Sequence, residues 1–99
     1  MLNVSDYIEL LLKKMGLSRT DLCREINRVE ARLGEKRTTP QNINSYFKGE
    51  WAFRPKILAK WEVALRLPEG TLMNMVMPPL TKEGKDELSK TIEELRKLR

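Results

Sequence analysis

Hydrophobic residues recur along this chain at intervals of three and four, the spacing that places them on one side of an α-helix. Helix-capping residues, glycines and prolines mark where these segments begin and end. The pattern predicts helices over residues 4–15, 19–33, 40–48, 55–67, 69–77 and 82–98. No segment shows the alternation expected of a strand, so the sequence predicts an all-α fold.

The predicted helix over residues 40–48 has both of its ends marked. Thr39 can cap its first amides, Pro40 fits the first helical position, and Gly49 suits the left-handed residue after the last turn. A helix this short is not stable alone in water. We therefore expect its apolar residues to pack against other helices; they are Ile43, Tyr46 and Phe47.

The other side of this helix consists of residue types that read DNA bases. Glutamine and asparagine can form paired hydrogen bonds with adenine, lysine can reach guanine or phosphate, and serine can bond to either kind of base edge. The residues predicted to contact bases are Gln41, Asn42, Asn44, Ser45 and Lys48. An ordinary amphipathic surface helix would show the same pattern and is the alternative.

The charge of the chain is concentrated around this helix. The 99 residues suit a single domain, and 40% are hydrophobic and 33% charged, which is typical of a globular protein. Residues 19–66 include eleven Lys or Arg and six Asp or Glu, so this part of the chain carries the whole net charge of +5. A basic block of this kind is the expected electrostatic footprint of phosphate binding, although solvated charged surfaces are also common.

Several classes of chemistry lack the residues that they need. The chain has one cysteine, Cys23, and no histidine, so it has no internal disulfide, no cysteine–histidine zinc site and no histidine-activated nucleophile. No glycine-rich phosphate loop occurs either. We therefore expect no enzymatic activity, no cofactor and no metal. The apolar run at residues 10–12 is too short for a signal-peptide core or a membrane span, so we expect a cytoplasmic protein.

Three segments together resemble the lambda-repressor/Cro helix-turn-helix family, also called XRE-type regulators. They are residues 17–23 (LSRTDLC), residues 43–49 (INSYFKG) and residues 55–67 with the pair Ala64 and Leu65. Cys23 occupies a position where the family usually has alanine, and a small apolar thiol suits it. The resemblance covers about residues 4–77 and implies a five-helix DNA-binding domain whose third helix enters the major groove.

One region departs from the family pattern. Ile26 and Ile43 are farther apart than in the family, and the apolar spacing continues through Val29 and Leu33, so we predict an extended second helix and a longer loop. The insertion carries basic residues at steps of four, namely Arg24, Arg28, Arg32 and Lys36. They can form a phosphate track or bind an acidic partner. Alternatively, they form a solvated surface that Glu25, Glu30 and Glu35 partly neutralise.

Other residues near the third helix are predicted to contact the DNA backbone. Arg54 and Lys56 follow it in a region that the family places near phosphates, and such contacts carry no sequence information. The full predicted phosphate-binding set is Arg19, Thr39, Arg54, Lys56, Arg24, Arg28, Arg32, Lys36 and Arg37.

The last predicted helix is amphipathic and follows the Pro78-Pro79 break. Thr81 can cap it, and its apolar stripe consists of Leu88, Ile92, Leu95 and Leu98. We expect residues 1–77 to form the DNA-binding domain and residues 78–99 to form a dimerisation element. The same stripe could instead fold back over the first or the fifth helix.

Together these features predict a sequence-specific transcriptional regulator, a phage-like or bacterial repressor that binds double-stranded DNA. It would bind an inverted-repeat operator as a homodimer and block the promoter. Two alternatives are open. One is an antitoxin that regulates its own transcription and binds a toxin or another regulator as protein partner. The other is a protein-interaction module that does not bind DNA.

Overall fold

The computed structural model describes residues 3–75 and 82–98. Those residues contain five α-helices, a short 3₁₀-helix and no strand, which confirms the all-α class. The helices are α1 (Val4–Met15), α2 (Arg19–Leu33), α3 (Pro40–Phe47), α4 (Pro55–Ala64) and α5 (Lys82–Arg96), and the 3₁₀-helix spans Met73–Met75. No helix in this described part of the chain is both long and apolar enough to cross a membrane.

The ends of α1 and α2 are set by local capping. Asn3 accepts a hydrogen bond from the amide of Asp6, and Ser18 and Asp21 form a reciprocal capping box at the start of α2. At the other ends, Gly16 and Gly34 adopt left-handed backbone conformations with φ of 71° and 72°. The predicted bounds of the extended second helix are therefore confirmed.

The predicted helix over residues 69–77 is wrong as far as the structure describes it. Residues 69–72 form turns, followed by the 3₁₀-helix, and residues 76 and 77 lie outside the described residues. Gly70 has φ of 92°, so a right-handed helix cannot pass through it. The side chain of Glu62 binds three amides of this segment and stabilises the turned conformation.

The central element is α4, which packs along α2 on one side and along α5 on another. Leu58 and Trp61 of α4 and its C-cap Leu65 are buried in the core. The helix ends at Ala64 and not at the predicted residue 67, because Arg66 has a left-handed backbone with φ of 58°. Two charged residues of α4 are buried as well, Lys60 at 5% exposure and Glu62 at 0%. A helix buried on nearly all sides must provide partners for such charges within the protein.

The last helix folds back onto the same core, but it packs mainly on α4 and not on the first or the fifth predicted helix. Leu95 is only 3% exposed, and Leu98 packs against the core, whereas Leu88 and Ile92 are half-buried. The main packing is on α4, and Arg96 adds two hydrogen bonds of 2.9 Å to the carboxylate of Glu69. The predicted cap Thr81 lies outside the described residues. Dimerisation through this stripe remains a prediction.

Candidate nucleic-acid interface

The two sides of α3 have opposite environments. Ile43 is 1% exposed, and Tyr46 and Phe47 pack against the core. On the remaining surface Gln41, Asn44 and Lys48 are exposed, and Asn42 and Ser45 are half-buried. The helix therefore presents hydrogen-bonding groups outward, as the sequence pattern predicts.

An aromatic cluster attaches the C-terminal half of α3 to the loop that follows and to α4. The ring of Tyr46 lies 5.3 Å from Trp51, 5.2 Å from Phe53 and 5.5 Å from Trp61, measured between ring centroids. Burial raises the pKa of the Tyr46 phenol. Because Phe53 also packs edge-on against Trp61 at 5.3 Å, the loop and α3 are held against α4 as one unit.

The N-terminal end of α3 is held by α2 through the preceding loop. The amide of Thr38 donates to Asn27 Oδ1 at 2.7 Å and to Glu30 Oε1 at 3.0 Å, and its hydroxyl donates to the same carboxylate oxygen at 2.6 Å. The thiol of Cys23, whose pKa is raised by burial, donates to the carbonyl of Thr38 at 3.4 Å. The next residue, Thr39, caps α3 by accepting from the amide of Asn42 at 3.2 Å.

A buried ammonium group completes this arrangement. Lys60 Nζ lies 3.6 Å from Glu30 and 2.9 Å from Glu35, which joins α4 to α2 and to the start of the loop. We refer to Asn27, Glu30, Glu35, Thr38 and Lys60 as the Glu30–Lys60 network. Among the described residues no buried side-chain nitrogen or oxygen lacks a hydrogen-bond partner.

This network was not predicted from the sequence. Glu30 and Glu35 were expected to neutralise the arginine stripe, and Lys60 belongs to the basic block between Arg19 and Arg66. One signal was available, because Glu30 follows Cys23 by seven residues and Ile26 by four and therefore lies on the buried side of α2. The charge of Lys60 is compensated inside the protein and is not available to a partner at the surface.

Arg19, one of the predicted phosphate-binding residues, contacts α3 directly. Its guanidinium donates to Asn44 Oδ1 at 3.1 Å, forms an ion pair with Glu9 and stacks over the ring of Phe47 at 4.3 Å. This places a cation at the start of α2 next to the polar surface of α3. Asn44 thus has a partner within the protein.

The two predicted phosphate contacts after α3 have different environments. Arg54 is exposed at the N-cap position of α4 and its side chain makes no capping hydrogen bond. Lys56 is half-buried, and its ammonium lies 4.0 Å from Glu35 and 3.8 Å from Glu87. Arg54 is therefore the better placed of the two for a contact outside the protein.

The arginine stripe is not brought beside α3 as one surface. Arg24 lies 3.4 Å from Asp21, and Arg28 pairs with Glu25 at 3.0 Å. Arg28 and Arg32 line a cavity together with residues of α4 and the end of α5. Since Asn27 and Glu30 contact the loop before α3, these two arginines lie on a different side of α2. Lys36 and Arg37 are exposed in the loop. Phosphate binding by these residues remains a prediction.

Comparisons of the chain with protein-family models, with curated protein sequences and with solved structures give no match. The candidate interface therefore rests on its own geometry. It consists of the outer surface of α3, with Arg19 in contact with Asn44 and Phe47 and with Arg54 in the loop that follows the helix. Both arginines lie at the N-terminal ends of helices. Such ends favour anions because the helix dipole is positive there, and at α4 the first amides also have no side-chain cap.

Proposed function

We propose that this protein binds double-stranded DNA in a sequence-specific manner and regulates transcription, with α3 as the base-reading helix. The observation that carries the proposal is the opposition within α3 between the buried Ile43 and the exposed Gln41, Asn44 and Lys48. A short helix clamped by its apolar side and exposed through amide and ammonium groups suits a major groove. The resemblance to lambda-repressor/Cro-type regulators supports the same function.

The residues have separate roles in this proposal. Gln41 and Ser45 lie one turn apart on α3 and contact base edges, and Lys48 extends that surface at the end of the helix. Arg19 and Arg54 bind phosphates on either side and orient the protein on the duplex. Bound at a promoter, the protein would act as a repressor by occupying the site.

The base-reading role can be tested after selection of bound sites from a random DNA pool. Gln41→Ala should cost about 1–3 kcal/mol of binding free energy on the selected site and relax the preference at one position. Arg54→Ala should weaken binding to selected and random DNA alike. Lys14→Ala, an exposed charge on α1, is the control for loss of a positive charge. Equal losses on both DNAs for Gln41→Ala would disprove the assignment of that residue.

We propose that the regulator acts as a homodimer, since one short helix contacts too few bases for a search of a genome. Leu95 packs in the core, so a dimer interface on α5 would use the half-buried residues Leu88 and Ile92. Leu88→Gln should then shift the full chain towards monomer in light scattering, and Leu10→Gln on the exposed side of α1 should not. An unchanged oligomeric state for Leu88→Gln would place the interface elsewhere.

A further inference from the structure

An open cavity of about 430 Å³ lies between α2, α4 and the end of α5. Its apolar wall is formed by Val29, Val63, Ala64 and Leu98. Its charged rim is formed by Arg28, Arg32, Arg66 and Glu25. The volume falls within the range of roughly 300–1,000 Å³ that is usual for small-molecule sites, which are mostly apolar with a few polar groups.

The rim has more positive than negative groups. The rim contains three guanidinium groups and one carboxylate. That carboxylate, Glu25, already forms an ion pair with Arg28 at 3.0 Å. Arg32 and Arg66 form no ion pair with any residue in the described ranges. Guanidinium groups bind carboxylates and similar oxyanions through two parallel hydrogen bonds, so this rim suits an anionic group.

Arg66 has an unusual backbone for its residue type. It is the only non-glycine residue with positive φ in the described part of the chain, at 58°. Its amide and that of Leu67 close the end of α4 by donating to Val63 and Glu62. The amides of Gly16 and Leu17 close α1 in the same way, with glycine at the left-handed position.

The arginine therefore occupies a position that glycine fits without strain. A residue retained in a disfavoured conformation can indicate a function that offsets its cost. In this structure the guanidinium group of Arg66 lines the cavity together with that of Arg32 of α2.

We propose that this cavity binds a small amphiphilic carboxylate. Its acidic group would lie between Arg32 and Arg66, and its apolar body would cover Val63, Ala64 and Leu98. The site goes beyond DNA binding, because it lies on a side of α2 different from the one that holds the loop before α3. Since Leu98 follows α5, an occupant would link the end of that helix to α2 and α4.

The experiment uses the full chain and two probes, the fluorescent sulfonate 8-anilinonaphthalene-1-sulfonate and octanoate. The sulfonate should bind saturably at one site, and octanoate should displace it. Octan-1-ol should compete about tenfold less well, because it lacks the group that forms charge-assisted hydrogen bonds. Absence of saturable binding up to millimolar probe, or displacement by octan-1-ol as effective as by octanoate, would overturn the proposal.

Three variants assign the site. Arg32→Gln and Arg66→Gly should each weaken binding of both probes by about tenfold. Arg66→Gly should at the same time raise the melting temperature, because glycine fits the left-handed backbone. Arg24→Gln, on the same helix but outside the cavity, is the matched control and should change affinity by less than about twofold.

Two results would refute this assignment. One is equal weakening by Arg24→Gln, which would indicate a general charge effect. The other is a change in oligomeric state for Arg32→Gln or Arg66→Gly with unchanged probe affinity, which would show that the rim contacts a second chain.

Discussion

Two loops of this protein are each held by a buried carboxylate from a neighbouring helix, but in different ways. Glu62 of α4 accepts hydrogen bonds from the amides of Gly70 at 2.9 Å, Leu72 at 2.6 Å and Met73 at 3.0 Å. Glu30 of α2 accepts from the amide and the hydroxyl of Thr38 and lies 3.6 Å from a buried ammonium group. In the first loop Glu62 binds backbone amides only, whereas in the second Glu30 binds a backbone amide, a hydroxyl and an ammonium group.

The loop held by Glu62 contributes to the stability of the fold, whereas the loop held by Glu30 contributes to the candidate interface. The loop held by Glu62 places Leu72, which is 0% exposed, into the core. The loop held by Glu30 ends at Thr39, the cap of α3, and so positions the start of that helix. Loss of the first carboxylate should mainly lower the stability of the fold, and loss of the second should also displace α3.

The largest effect is expected for Glu62→Gln. The amide side chain keeps one acceptor oxygen but places an NH₂ group against backbone donors in a site without water access. We expect the free energy of unfolding to fall by about 3–5 kcal/mol, measured by urea denaturation. Glu50→Gln at an exposed position is the control and should change stability by less than about 0.5 kcal/mol. A similar small loss for Glu62→Gln would contradict the role assigned to it.

A smaller effect is expected in the Glu30–Lys60 network. Glu30→Gln should cost about 2–3 kcal/mol and Thr38→Val about 1 kcal/mol of stability. Because the two side chains bond to each other, the double variant should lose less than the sum of the single losses. Strictly additive losses would mean that the 2.6 Å hydrogen bond contributes nothing measurable.

The role of the Thr38 hydroxyl in positioning α3 can be tested by DNA binding under conditions where each variant is folded. Thr38→Val should weaken binding to the selected DNA site, since it changes the support of α3. The conservative variant Thr38→Ser retains the hydroxyl and should restore most of the binding. Weakening by Thr38→Ser equal to that by Thr38→Val would indicate that the hydroxyl does not position α3.

The smallest effect is expected at the exposed start of α2. Ser18→Ala removes the side chain that accepts from the amide of Asp21 and should cost about 1 kcal/mol. The backbone amide and the hydroxyl of Ser18 lower the pKa of the Asp21 carboxyl. The Asp21 carboxylate therefore stabilises the fold fully above its unfolded-state pKa of about 3.9. This stabilisation is lost as the pH falls through the lower pKa of the folded state.

This pH dependence can be isolated with Asp21→Asn. The difference in unfolding free energy between the parent and the variant should be constant near neutral pH and shrink in acid. Urea denaturation from about pH 6 to pH 2 measures it. A difference that stays constant into acid would show that the carboxyl of Asp21 titrates alike in the folded and unfolded states.

The helices whose ends are capped by neighbouring residues were predictable from the local sequence. The bounds of α2 were predictable because Ser18, Asp21 and Gly34 act within one turn of the helix that they delimit. The two sides of α3 were predictable in the same way. With 3.6 residues per turn, Gln41 and Ser45, each two residues from Ile43, lie on the other side of the helix. Such information is carried by residues two to four positions apart.

Which charges are internal and where the last helix packs depend on contacts between residues far apart in the sequence. Lys60 and Glu35 are 25 residues apart, Arg96 and Glu69 are 27 apart, and no periodicity relates their positions. The turned segment after Glu62 likewise depends on a carboxylate that reaches eight to eleven residues along the chain. These contacts form only when helices distant in sequence pack together, and burial then requires each charge to find a partner.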